Sequence, residues 1–290
     1  MTKKIKKHFL LVTLLFGSMA FASSIYSQAN AKKKNEIIVI GVHGLGARAA
    51  WLDPLKNELE ANSIKFIAED LPGFGLNHKE TNPESPYKPG HVESYNEWLD
   101  FVSNQIQETK AENPESTLIL FGHSLGGLIS TNTQALNEVD ALILSVPGYS
   151  SGPNFNPKFL IETAWKYAVS KKLQGKDEYI VMPVSKKIYP NPNAKDPYRT
   201  KAVTANLLFQ VNELQGKTAN NLKNVTAPLL MVQIAGDQLV ATETQKEYFD
   251  LMPSENKDFK SYPGFDHDWL TNPGNEKIFN DIVSFINSLD

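Results

Sequence analysis

Thr117-Leu118-Ile119-Leu120-Phe121-Gly122-His123-Ser124-Leu125-Gly126-Gly127 is the stretch whose reading decides the fold. Its first five residues have the apolar and β-branched character of a strand buried on both faces. A helix-length run, Leu125 to Asn137, follows with no intervening loop. Between the two lies the pattern Gly-x-Ser-x-Gly. In a strand-turn-helix context this pattern raises a serine hydroxyl at the edge of a sheet, and the flanking glycines are small because neighbouring backbone must pass close to a strained turn. The context therefore predicts Ser124 as a nucleophile and the backbone N–H of Leu125 as a donor aimed at the same point. The competing reading is a glycine-rich turn that merely packs a helix close to a strand.

Working outward, the same kind of apolar run recurs at Glu36 to Val42, Ile64 to Ala68, Ala141 to Val146 and Pro228 to Ala235, with a weaker one at Asp258 to Tyr262. Helix-length stretches separate them: Trp51 to Asn62, Ser94 to Lys110, Thr242 to Met252 and Glu276 to Leu289. Strands alternating with helices predict βαβ units, hence a mainly parallel sheet of about six strands covered on both faces. Two stretches break the rhythm. Leu76 to His91, rich in Pro, Asn and Glu, reads as a surface loop. Pro147 to Leu214 is too long for a connection and holds helical segments (Lys158 to Lys171, Lys201 to Glu213) around a centre broken by Pro183, Pro190, Pro192 and Pro197. It is expected to form a cap, residues 147–214, inserted into a core made of residues 32–146 and 215–290.

A serine hydroxyl is a weak nucleophile at neutral pH and needs a base, which in turn needs an orienting acid. Asp237 follows the strand Leu229 to Ala235 at its carboxyl end, where catalytic groups collect in such sheets. His267 lies after the last strand, within Gly264-Phe265-Asp266-His267-Asp268. Asp266 and Asp268 compete for the role of acid but flank the histidine in sequence, and the strand ending at Val146 is followed by no carboxylate. His123, His78 and His91 belong to no motif that makes them a base. The tetrahedral intermediate of acyl transfer needs two N–H donors, and the loop His43-Gly44-Leu45-Gly46 after the first strand should supply the second. The oxyanion hole is therefore assigned to the backbone N–H groups of Leu45 and Leu125, with His43 as a structural hydrogen-bonding residue.

The amino terminus reads differently. Lys3, Lys4, Lys6 and Lys7 precede an apolar run from Phe9 to Ala22 and a polar stretch ending Ala29-Asn30-Ala31, which is the build of a secretory signal. The run is shorter than the ~20 residues of a membrane span. Residues 1–31 are expected to be a signal peptide cleaved after Ala31, with Ala22 as the alternative, and the protein to be exported (secreted, periplasmic or cell-envelope). Removing them takes away four lysines and no acid, so the mature chain is more negative than the −3 of the full 290 residues. That balance argues against a nucleic-acid partner. The absence of cysteine excludes disulfides, thiolate metal sites and a lipobox anchor. No cofactor or metal is called for, and nothing in the sequence signals oligomeric state.

Together, His43-Gly44-Leu45, the Gly122-His123-Ser124-Leu125-Gly126-Gly127 elbow, Gly236-Asp237 and the late His267 resemble the α/β-hydrolases of the monoacylglycerol lipase and lysophospholipase group. The likeness spans roughly Ile37 to Leu289 and includes Asp70-Leu71-Pro72-Gly73-Phe74-Gly75, where Phe74 replaces the histidine usual in that loop. Asp196-Pro197 through Leu214, leading into Val225-Thr226-Ala227-Pro228, is similar to the end of that group's cap rejoining the core. The two antiparallel strands that normally open the sheet have no counterpart between the cleavage site and Glu36. The resemblance implies hydrolysis of a lipid-like carboxylic ester (lysophospholipid or monoacylglycerol) through an acyl-enzyme on Ser124. Phe155, Phe159, Leu160, Ile161, Trp165 and Tyr167 would give the cap an apolar surface for an acyl chain or for transient membrane contact, or would simply pack on the core. An aminopeptidase or amidase of the same fold is the alternative, and a non-catalytic binding protein is disfavoured because no triad member is lost.

Overall fold

The structure, a computed structural model, describes residues 35–78, 90–134, 139–154, 162–166, 168, 179–181 and 192–289. The expected signal peptide, the expected cap residues Phe155, Phe159, Leu160, Ile161 and Tyr167, and most of the loop from Leu76 to His91 lie outside these residues.

Six strands form one sheet: β1 (Ile37–Val42), β2 (Lys65–Ala68), β3 (Thr117–His123), β4 (Ala141–Ser145), β7 (Leu229–Ile234) and β8 (Lys257–Tyr262). Their order is β2-β1-β3-β4-β7-β8, and every pairing is parallel. Burial on both faces explains the unbroken apolar runs. Ile38, Ile40 and Val42 of β1 join one core with Leu118 and Leu120, whereas Ile37 and Val39 join a second with Ile119 and Phe121. Alternation along a strand thus feeds two cores from one sequence run. The first core is closed by α2 (Asn96–Glu112), α3 (Leu125–Gln134), α4 (Ala205–Asn221) and α5 (Thr242–Leu251), through Val102, Leu128, Leu207 and Phe249. The second is closed by α1 (Asp53–Ala61) and α6 (Glu276–Asn287), through Leu55, Leu59, Ile282 and Ile286.

Local chemistry moves some boundaries. The helix expected over Trp51 to Asn62 begins as a 3₁₀ turn, Ala49–Leu52, and becomes α1 where Pro54 occupies the first turn, a position that needs no backbone donor. The helix expected from Lys201 to Glu213 starts later and runs further. Ala202–Thr204 forms β6, antiparallel to β5 (Tyr179–Val181). Thr204 then caps α4, its hydroxyl accepting from Leu207 N–H at 3.1 Å, because a short β-branched residue suits extended backbone and an N-cap better than a helix interior. The cap boundary expected at Leu214 consequently falls inside α4, whose buried Leu214 and Thr218 carry the helix on to Asn221.

The sheet order reverses between β1 and β3: from β1 the chain goes to β2 on one side and to β3 on the other. The carboxyl ends of these two strands frame the crevice where ligands bind in open parallel sheets. The loop His43-Gly44-Leu45-Gly46 and Ser124 both emerge there.

Candidate active site

Ser124 joins β3 to α3 with φ of 57°, a left-handed conformation that costs a non-glycine residue about 1–2 kcal/mol. The surroundings hold it there. Ser124 N–H donates to Ser145 O, and Ser124 O accepts from Gly148 N–H, both at 2.9 Å. A Cβ on Gly126 would fall 2.0 Å from Val42 O, and one on Gly122 would fall 2.4 Å from Gly126 O, so the elbow closes only because both positions lack a side chain.

The loop after β1 crosses directly over this serine, and a Cβ on Gly44 would lie 3.1 Å from Ser124 Cβ. His43 fixes the loop. Its Nδ1–H donates to Gly44 O and its Nε2 accepts from Leu71 N–H, each at 2.9 Å. Both ring nitrogens are thereby used in the neutral form, and burial pushes the imidazole down from 6.5 to about 4. His43 is thus a structural clamp between the first loop and Asp70-Leu71. Phe74, which replaces a histidine, is fully buried and packs edge-on to His43 and stacked on Trp98. Neither Leu45 N–H nor Leu125 N–H donates to a backbone carbonyl among the described residues, and Leu125 is the first residue of α3, where helical N–H groups have no internal acceptor.

Asp237 and His267 come from the loops after β7 and β8. His267 Nδ1–H donates to Asp237 Oδ2 at 2.7 Å, and the other carboxylate oxygen accepts from Leu239 N–H at 2.8 Å and Val240 N–H at 3.3 Å. Burial alone would raise the carboxyl of Asp237, but the His267 charge and hydrogen bond and the two backbone donors hold it below its ordinary value. An ionised Asp237 accepting at Nδ1–H leaves the lone pair of His267 on Nε2. The competing acid is engaged elsewhere. Asp266 Oδ1 accepts from Asp268 N–H at 3.0 Å and from Asn272 Nδ2–H at 3.2 Å, which shapes the turn carrying His267.

The structure also defines neighbours on which the sequence gives no signal. The ring of His123 lies 5.3 Å from that of His267. Its Nδ1 is hydrogen-bonded to Ser145 Oγ at 3.1 Å, and Ser145 Oγ accepts from Trp269 Nε1–H at 2.9 Å. Burial, reinforced by nearby His267, pushes His123 down to about 3, so it stays neutral beside the candidate base.

Ser124, His267, Leu45 and Leu125 all line one cavity of about 520 Å³. Its floor is the sheet edge. Its roof comes from the segment between β4 and β7: Thr163 and Ala164, then Asn193, Arg199 and Thr200, then Leu208, Phe209 and Val211 of α4. The roof is tied down at Asp196, whose Oδ2 accepts from Arg48 Nε–H at 2.8 Å and Trp51 Nε1–H at 2.9 Å, and by Thr200 N–H donating to Gly46 O at 3.2 Å.

Known proteins share this architecture. The monoacylglycerol lipase of Paleococcus ferrophilus superposes with a TM-score of 0.72 at 22% identity, covering 88% of this chain and 97% of that one. A soluble variant of the Saccharomyces cerevisiae monoglyceride lipase, bound to a substrate analogue, gives a TM-score of 0.72 at 18% identity, covering 90% and 89%. In sequence, the phospholipase YtpA of Bacillus subtilis is 22% identical over 83% of this chain and 92% of its own length. A Schizosaccharomyces pombe relative is 23% identical over 82% of this chain, which spans 63% of that longer protein. The family model described as Serine aminopeptidase, S33 matches residues 33–274, and the chain therefore belongs to this Hydrolase_4 family of α/β-hydrolases.

Proposed function

We propose that the protein is a serine hydrolase that cleaves a single-chain, lipid-like carboxylic ester through an acyl-enzyme on Ser124. The observation that supports this most is the convergence on one cavity of a strained elbow serine and an imidazole whose Nδ1 is held by a buried carboxylate. His267 Nε2 takes the proton from Ser124 Oγ as the oxygen attacks the ester carbonyl. The N–H groups of Leu45 and Leu125 stabilise the oxyanion, and Asp237 stabilises the imidazolium without itself taking a proton. His267 returns the proton to the departing alcohol, then activates water to release the acid. The apolar roof residues Leu208, Phe209 and Val211 suit an acyl chain. The lipase and phospholipase names of the relatives favour esters over amides, although the family description makes an aminopeptidase the reading to test beside it. The basic, apolar and small-residue succession of residues 1–31 supports export, and amino-terminal sequencing of secreted material should begin at Lys32 or at Ser23.

A fluorophosphonate probe tests the nucleophile. Labelling of the folded protein should vanish in Ser124→Ala; persistent labelling would overturn the assignment. An ester panel run beside an aminoacyl arylamide separates the two substrate classes.

A further inference from the structure

The described lining of the cavity contains one permanent cation, Arg199, and one carboxylate, Asp268. The two lie in different parts of the chain: Asp268 follows His267, whereas Arg199 belongs to the roof. Arg199 shows no carboxylate partner among the described residues. Asp196, the acid nearest in sequence, is already used, with Oδ2 accepting from Arg48 and Trp51 and Oδ1 accepting from Tyr198 N–H at 2.9 Å. The guanidinium instead lies over the Trp51 ring, 5.8 Å from its centroid. An arginine so placed keeps its N–H edge free to donate. Among the described residues the half-buried guanidinium meets no counter-charge, and an anionic ligand in the cavity would supply one.

The neighbours of Arg199 share its cavity with apolar residues. Asn193, Arg199 and Thr200 add polar groups to the lining, and Thr200 is hydrogen-bonded to Gly46, one residue from the proposed oxyanion donor Leu45. Leu208, Phe209 and Val211 of α4 add apolar side chains to the same lining, beside Asn212 and Gln215. One cavity with Ser124 thus offers apolar side chains that suit a substrate's chain and a guanidinium that suits a charged group on its alcohol.

We propose that Arg199 binds a phosphate carried by the alcohol of the ester, which makes the preferred substrate a lysophospholipid over a neutral monoacylglycerol. This rests on the ester hydrolysis at Ser124 proposed above. The phosphate takes no part in bond making. Ser124 Oγ bonds to the carbonyl carbon, the ester C–O bond breaks, and His267 gives its proton to the departing glycerol oxygen; water then releases the fatty acid. Arg199 places the ester and discriminates between alcohols.

The test is kcat/KM for lysophosphatidate, lysophosphatidylcholine and monoacylglycerol of one chain length, with wild type, Arg199→Gln and Arg199→Lys, each checked for its melting temperature. Wild type should favour lysophosphatidate, by a ratio that falls with added salt. In Arg199→Gln the ratio of lysophosphatidate to monoacylglycerol should drop about tenfold to a hundredfold, chiefly through KM, and Arg199→Lys should restore part of it. The lysophosphatidylcholine arm separates recognition of phosphate from recognition of net charge: preference over monoacylglycerol retained means the phosphate itself is bound. An unchanged ratio in both variants, or equal losses on all substrates, overturns the role of Arg199 while leaving ester hydrolysis intact. Absence of turnover of every ester by wild type overturns the underlying reading.

Discussion

The floor and the roof of the cavity are built in opposite ways. On the floor, each candidate group lies at most a few residues beyond a strand of the parallel sheet, in turns held by short-range hydrogen bonds and close glycine contacts. Ser124, for example, is held through backbone hydrogen bonds with Ser145 and Gly148 and lies directly beneath Gly44. On the roof, groups depend on side-chain links between distant segments, such as Asp196 to Arg48 and Trp51, and large side chains face outward, with Trp165 64% exposed. A rigid floor suits chemistry that tolerates little displacement. A roof held by a few polar links can vary to fit different alcohols and chains.

Breaking the floor should therefore cost turnover, and breaking the roof should cost binding. The largest effect is expected for Asp237→Asn, which leaves the shape intact but presents His267 with the wrong partner; kcat on a p-nitrophenyl ester should fall about 10³- to 10⁴-fold. Asp266→Asn, altering the turn and not the imidazole, should stay within about tenfold. If the two results were exchanged, the acid would be Asp266.

Acid should weaken the floor before the roof. His43 and His123 are held neutral in the fold, at about 4 and about 3 against 6.5 ordinarily. Between pH 6.5 and 4 the unfolded chain binds protons that the native one refuses, so stability falls as pH falls through that window, by about 3 kcal/mol for each histidine. Urea midpoints measured from pH 7 to 4.5 should show this slope, and replacing one of the two histidines should roughly halve it.

A smaller effect is expected from Asp196→Asn, which removes the partner of Arg48. KM should rise about two- to fivefold with kcat retained. Loss of kcat instead would mean that the roof link also positions the Gly46 side of the loop proposed to hold the oxyanion.

The same contrast sets what was legible in the sequence. Five of the six parallel strands follow from local apolar runs and the turns between them, while β8, Lys257–Tyr262, is mostly polar and partly exposed and gives only a weak signal; Ser124, Asp237 and His267 stand out as candidates because of their place at strand ends. Arg199 carries no such signal. Its place depends on Thr200 meeting Gly46 and on Asp196 meeting Arg48, contacts across about 150 residues of chain. The pairing of β5 with β6, which displaced the start of α4, is likewise a tertiary outcome that helix propensity does not encode. The link from His123 through Ser145 to Trp269 joins three strand or loop ends and is invisible for the same reason.

The left-handed backbone of Ser124 has a practical consequence. A residue that the fold accepts at an energetic loss is one the fold would gain by surrendering, so Ser124→Gly should melt higher than wild type by the equivalent of about 1 kcal/mol. With Ser124 as the proposed nucleophile, this variant would also be catalytically silent and hence the sturdier reagent, suited to capturing an uncleaved ester for crystallography. Natural sequences drifting towards robustness would face a standing temptation to give up the reaction.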